Sequence, residues 1–168
     1  MDHPKIEVYR QLVSMCRQET LGVAGRVHEQ HRYFQLREGK AHPLWLLGHL
    51  ANTLNVVLLQ WTLGKESIFP KTFGKMFAPD FAGGAPVTSD PSAYPTWDEV
   101  TASYDQASQH ALEACAALED SELPAPPRGD FPDLLKAHFP TIESALARMI
   151  GHDNYHRGQM ALLSKLNK

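Results

Sequence analysis

Cysteine is scarce: Cys16 and Cys115 are the only two in 168 residues. They form no CxxC pair and are too few for a secreted disulfide framework. Each falls in a predicted helix among apolar neighbours, which reads as a buried free thiol rather than a nucleophile. A basic run is also missing. Lys and Arg number 16 against 19 Asp and Glu, a formal net charge of −3. Nucleic acid and anionic membrane surfaces therefore find no electrostatic footprint. No stretch approaches the roughly 20 apolar residues of a membrane-spanning helix. The opening MDHPKIEVYRQ lacks the apolar segment of a signal peptide, so the expected address is the cytoplasm. What remains, 43% hydrophobic and 21% charged residues, is the composition of an ordinary globular chain. Its length suits one domain, 1–168, with a core of its own.

Periodicity predicts four long helices and no strand. The first covers about 5–34, with Ile6, Tyr9, Val13 and Cys16 as its apolar stripe and Gly22 or Gly25 as points of interruption. The second covers about 43–64, and Pro43 suits its first turn, where a missing N–H costs nothing. Its sequence, PLWLLGHLANTLNVVLLQWTLG, is apolar over most of the circumference. Such a helix needs cover beyond its own bundle, from a homodimer partner or from a long loop. The third covers about 96–118 and opens with the capping box TWDE, Thr96 as N-cap and Glu99 at N3. Val100, Tyr104, Ala107, Ala111, Ala114 and Leu118 continue its inner face. The fourth covers about 141–166, with Thr141 as N-cap. Its inner stripe is read as Ala145, Met149, His152, His156, Gln159 and Leu163.

Two connections are long. Residues 65–95 are rich in Gly, Pro and Phe, and a loop of this length suits a crossover between parallel neighbouring helices. Phe69, Phe73, Phe77 and Phe81 recur every four residues, which predicts a short amphipathic turn docked on the helices, with a substrate lid as the alternative. Residues 119–140 are expected to hold one short helix near 133–138.

His152 and His156 lie four apart in GHDNYHRGQM and so point the same way from one helix. Two neutral imidazoles side by side in a core are hard to explain by packing, since each needs hydrogen-bond partners. An H-x-x-x-H pair presents two ring nitrogens to one metal. The residue after the first histidine is Asp153, not the Glu that a zincin uses as base, so a metalloprotease is a poor reading. A metal needs a third ligand, and the best candidate is His49, in WLLGHLANTL, with Thr53 and Gln60 on its own face. In antiparallel helices its level matches that of His156. His28 and His31, in HEQH, are the rival pair and read as solvated surface. His42, His110 and His138 sit in polar or loop contexts and carry no signal. His3 is expected to lie in a frayed terminus.

On HDNYHRGQ (152–159), PLWLLGHL (43–50) and the long second connection between predicted helices two and three, the chain resembles the DinB/YfiT-like superfamily of small four-helix-bundle proteins over most of its length. The resemblance implies an all-α, up-down-down-up four-helix bundle with a long crossover between helices two and three. It further implies a divalent metal held by His49, His152 and His156. Nitrogen ligands suit Zn or Ni foremost, and also Mn, Fe or Co. Three imidazoles leave a position open, as catalytic sites do. Some members are S-transferases that use a low-molecular-weight thiol activated by the metal, and the family name reflects damage-inducible expression. The expectation is thus a metal-dependent transferase joining a small thiol to an electrophile in detoxification or stress response. Gln159, on the same face, is the candidate contact to a ligand or substrate. Asp153 and Tyr155 read rather as residues of the helix flank. The alternatives are a metal-dependent hydrolase, which lacks a carboxylate base beside the histidines, and a non-enzymatic stress-associated metal-binding dimer.

Overall fold

The computed structural model describes residues 4–166, so the reading of His3 lies outside the described residues. Among them the chain is all-α and has no strand. The helices are α1 (Lys5–Ala24), α2 (Pro43–Thr53), α3 (Lys71–Phe77), α4 (Trp97–Ala116), α5 (Asp133–Lys136) and α6 (Ile142–Leu163). None is long and apolar enough to cross a membrane.

Helix α1 stops at Ala24 and does not run on to residue 34. Gly22 and Gly25 weaken its last turn, and the amides of Arg26 and Val27 close it on Val23 and Ala24. The chain then bends through a 3-10 turn, Glu29–His31. This bend has a task. The Arg32 carbonyl accepts from the Leu44 amide at 3.0 Å, and His42 Nδ1 accepts from the Trp45 amide at 3.2 Å. Both amides are first-turn donors of α2 that the helix itself cannot satisfy. His42 is thus a buried N-cap, not a loop residue without signal. Its Nε2 donates to the Thr88 carbonyl at 3.0 Å, which ties the long crossover to the start of α2. Sequence reading passes over it because capping normally falls to Ser, Thr, Asp or Asn.

All of α2 is buried, and its axis continues as a π-helical stretch, Leu54–Thr62. Here the side chain of Asn55 holds the crossover, with Oδ1 accepting from the Ile68 amide at 2.9 Å. The end of the stretch is closed by the other connection: the amides of Arg128 and Gly129 donate to the Thr62 and Trp61 carbonyls, both at 2.9 Å. Gly129 is required there, because a Cβ would lie 2.3 Å from the Gln60 carbonyl oxygen.

Within the crossover, α3 buries Phe73 and Phe77 against the α2 core residues. The apolar circumference of α2 is therefore covered from within the chain, the second of the two explanations open to it. The four-residue recurrence ends before Phe81, which is 73% exposed. In α4 the capping box forms as read, with the Thr96 amide on Glu99 Oε2 at 2.7 Å and the Glu99 amide on Thr96 Oγ1 at 3.3 Å. Its inner face passes through Cys115, which is buried, in place of Ala114.

Partner residues fix the helix directions. Tyr9 reaches Glu143 and Thr20 reaches Asp153, so α1 and α6 run the same way. Asp120, beyond the end of α4, meets the start of α1, and Asp105 meets Arg17, so α1 and α4 run oppositely. His49 meets His152, while Leu58 meets Leu146 and Met149 around a cavity of about 20 Å³, so α2 and α6 run oppositely.

The start of α1 has no cap of its own, since Pro4 offers no side-chain acceptor. Asp120 supplies it from another element: Oδ2 accepts from the Lys5 amide at 2.7 Å and Oδ1 from the Ile6 amide at 2.9 Å. These amides hold the Asp120 carboxyl below its ordinary value of 3.8. A depressed folded value means the stabilisation is fully present above that ordinary value. It is lost as pH falls from there through the folded value. Asp120→Ala is expected to lower the urea midpoint at neutral pH, and the gap to the unaltered protein should close on acidification. An equal gap at both pH extremes would show that the carboxylate charge is not what caps α1.

Candidate metal centre

The geometry starts from three imidazoles delivered by two helices. His49 comes from α2, and His152 and His156 come from α6 on successive turns. His49 Nε2 lies 3.2 Å from His152 Nε2, which lies 3.1 Å from His156 Nε2. Among the described residues they form a group that could hold a metal ion, with ligand atoms all within 4.8 Å of one another. The rival pair does not form such a group. His28 is exposed, whereas His31 is buried, contrary to the solvated reading, because the 3-10 turn folds it inward. His110 faces Glu113 at 3.8 Å and His138 is exposed, both away from the three.

The outer nitrogens are tied. His49 Nδ1 donates to the Phe77 carbonyl at 2.9 Å. His156 Nδ1 donates to Gln159 Oε1 at 2.7 Å, and Gln159 Nε2 donates onward to the Tyr155 hydroxyl at 3.1 Å. A neutral imidazole carries one ring proton, so both Nε2 atoms are left as lone pairs facing inward. One proton on His152 Nε2 can point at only one of them. A cation resolves the frustration for all three. A tetrahedral ion with metal–nitrogen bonds of about 2.0–2.1 Å sets its ligand nitrogens roughly 3.3 Å apart, close to the distance of His152 Nε2 from each of its two neighbours.

Electrostatics favour the neutral form that a ligand needs. Burial, with His156 and His49 alongside, pushes His152 down to about 3. Burial pushes His49 down to about 4, against the opposing effect of the Phe77 carbonyl. Burial also lowers His156, while the bond to Gln159 opposes it. The indole of Trp45 stacks on His49 at 4.8 Å with an 8° interplanar angle, and Tyr155 meets the edge of His156 at 4.9 Å.

Two readings of α6 change. Its buried line runs through Ile142, Leu146, Met149, Asp153 and Met160, so His152 and His156 sit at its edge, half-buried and turned toward α2. Asp153 is not a flank residue: it is 4% exposed and turned toward α1 and α4. Thr20 of α1 donates to its Oδ1 at 2.7 Å and Tyr104 of α4 to its Oδ2 at 2.6 Å. Burial raises its carboxyl above the ordinary value even though both hydroxyls oppose this. The helical series 142, 146, 149, 153 and 160 carries the signal, since a carboxylate within it must meet buried donors.

Both cysteines are free and buried. Burial, with Asp153 nearby, pushes the Cys16 thiol up to about 12, and burial pushes Cys115 up to about 11.

Asp153→Ala would leave the buried Thr20 hydroxyl without its acceptor and the Tyr104 hydroxyl with only the long contact to the Cys16 carbonyl at 3.4 Å. Each such orphan costs about 1–3 kcal/mol, so the loss in urea unfolding is expected at roughly 2–4 kcal/mol. A loss below about 1 kcal/mol would mean that water replaces the carboxylate in this core.

The search of curated proteins returns no match to the chain. The family model described as the DinB superfamily matches residues 12–160, and with that span the chain belongs to the DinB superfamily.

Proposed function

We propose that the chain is a metal-dependent S-transferase. In this reading His49, His152 and His156 hold one divalent ion, and a small thiol from solution is transferred to an electrophile. The scaffold is one domain, a four-helix bundle of α1, α2 with its π-helical extension, α4 and α6. It runs up-down-down-up, with the 65–95 crossover between the two parallel members. The helix directions above support that topology.

One observation carries the reading: three Nε2 atoms converge, and Phe77 and Gln159 occupy the outer nitrogens of His49 and His156, leaving those two Nε2 atoms as inward lone pairs beside His152. Three protein ligands leave room for one exogenous atom, and a bound divalent ion lowers the pKa of a thiol placed there. The protein's own residues do the rest. Phe77 and Gln159 hold two rings in the tautomer that presents Nε2. Trp45 shields the His49 face from water. Tyr155, 63% exposed beside His156, has its oxygen engaged by Gln159 and can turn its proton outward.

Sulfur from outside is favoured over the protein's own. Burial keeps Cys16 and Cys115 protonated throughout the neutral range. Hydrolysis is less favoured, because the nearest buried carboxylate, Asp153, is committed to Thr20 and Tyr104. Zn and Ni fit an all-nitrogen donor set, as do Mn, Fe and Co.

Purified protein is expected to carry close to one equivalent of divalent metal, and His152→Ala should lose most of it, because two imidazoles hold such an ion poorly. Undiminished metal content in that variant would overturn the assignment of the ligands. Loss of a model electrophile should need both metal and added thiol, and should survive Cys16→Ser and Cys115→Ser. A rate independent of added thiol, or abolished by the Cys16 change in a folded protein, would overturn the transferase reading while leaving the metal centre standing.

A further inference from the structure

The crossover meets the histidine cluster at the end of α3, and beside that contact Phe77 packs closely on Gly48. Helix α3 ends at Phe77, and the last carbonyls of a helix have no partner within it. Two side chains of α2 take them: Trp45 Nε1 donates to the Met76 carbonyl at 3.1 Å, and His49 Nδ1 donates to the Phe77 carbonyl at 2.9 Å. The Phe77 ring is fully buried between Phe73 and Tyr94. It reaches this place only because Gly48 has no side chain. A Cβ at Gly48 would lie 2.3, 2.4 and 2.6 Å from three atoms of the ring. Helix propensity gives no reason for glycine at that position, since Gly costs about 1 kcal/mol relative to Ala in a helix interior.

We propose that Gly48 and Phe77 are positioning residues for the metal centre: the seat at Gly48 sets the Phe77 carbonyl that orients His49, so that docking of the crossover and metal binding are coupled. The inference rests on the metal reading above. A partner on the outer nitrogen fixes ring orientation and strengthens the ligand nitrogen. Coordination at Nε2 in turn makes the Nδ1–H a better donor to Phe77. Coupling of this kind is reciprocal. The ion should therefore tighten α3 on α2, and displacing α3 should weaken the ion. On this account the segment is a fixed support of the site rather than a lid over it.

Metal-free wild type, Gly48→Ala, Gly151→Ala and His152→Ala would be titrated with Co²⁺, read by its visible absorption, and with Zn²⁺, read by calorimetry. Gly151 faces open space, with nothing within 4 Å of an added Cβ, and serves as the control. Gly48→Ala should bind about 10–100-fold more weakly and shift the Co²⁺ bands, whereas Gly151→Ala should match wild type. A purely structural Gly48 would lower the melting temperature of the metal-free protein but leave the affinity and spectrum of the folded fraction unchanged. That result would overturn the proposal. Hydrogen exchange on wild type gives a test that needs no variant. Zn²⁺ should slow the amides of residues 71–78 in wild type but not in His152→Ala. Equal exchange with and without bound Zn²⁺ would overturn the coupling even if Gly48→Ala fails to fold. Wild type that binds neither ion would overturn the metal reading itself, and this inference with it.

Discussion

A neutral imidazole in a desolvated corner has one proton to give and one lone pair to direct, and the arrangement around His49, His152 and His156 follows from that constraint. Burial strips the charge from all three rings, so their nitrogens must be satisfied by geometry instead. For His49 the acceptor is a backbone carbonyl at the end of α3. For His156 it is Gln159 on its own helix. Each bond turns a lone pair inward, and the three Nε2 atoms are left facing one another.

The same rule, that buried polar groups must be paired, explains how the helices are held to the register the cluster needs. Around α6 from the histidines, on the flank that faces α1 and α4, Asp153 gathers hydroxyls from both helices. Adjacent residues therefore serve different neighbours: His152 turns to α2, and Asp153 ties α6 to the other two helices. A rotation of α6 that improved one contact would break the other. The helix ends are closed in a similar way by distant segments. Asp120 caps α1, His42 and Arg32 cap α2, and Arg128 with Gly129 closes the π-helical stretch. The long connections thus do more than join helices. They supply the donors and acceptors that the helix ends lack.

This changes the meaning of the Phe-rich crossover. Its aromatic spacing is visible in the sequence, but spacing alone does not distinguish a lid from a support. The structure puts Phe73 and Phe77 in the core, leaves Phe81 in solvent, and directs two carbonyls at Trp45 and His49. The apolar circumference of α2, which by itself suits either a second copy or a loop, is covered by this segment.

What the sequence determined by itself was local. The i,i+4 spacing of His152 and His156, the Thr96–Glu99 box, the cap at Thr141 and the all-α character depend on residues within a turn or two of one another, where helix geometry makes the side-chain directions calculable. What only the tertiary structure decided depended on partners far along the chain. It brought His49 to the α6 pair, buried His31 and His42, ended α1 at Ala24, and turned Asp153 inward. The Phe77 carbonyl reaches His49 across 28 positions and Tyr104 reaches Asp153 across 49. No periodicity encodes such distances. They arise when apolar faces pack, and the polar groups carried inside must then find each other or pay the full cost of desolvation.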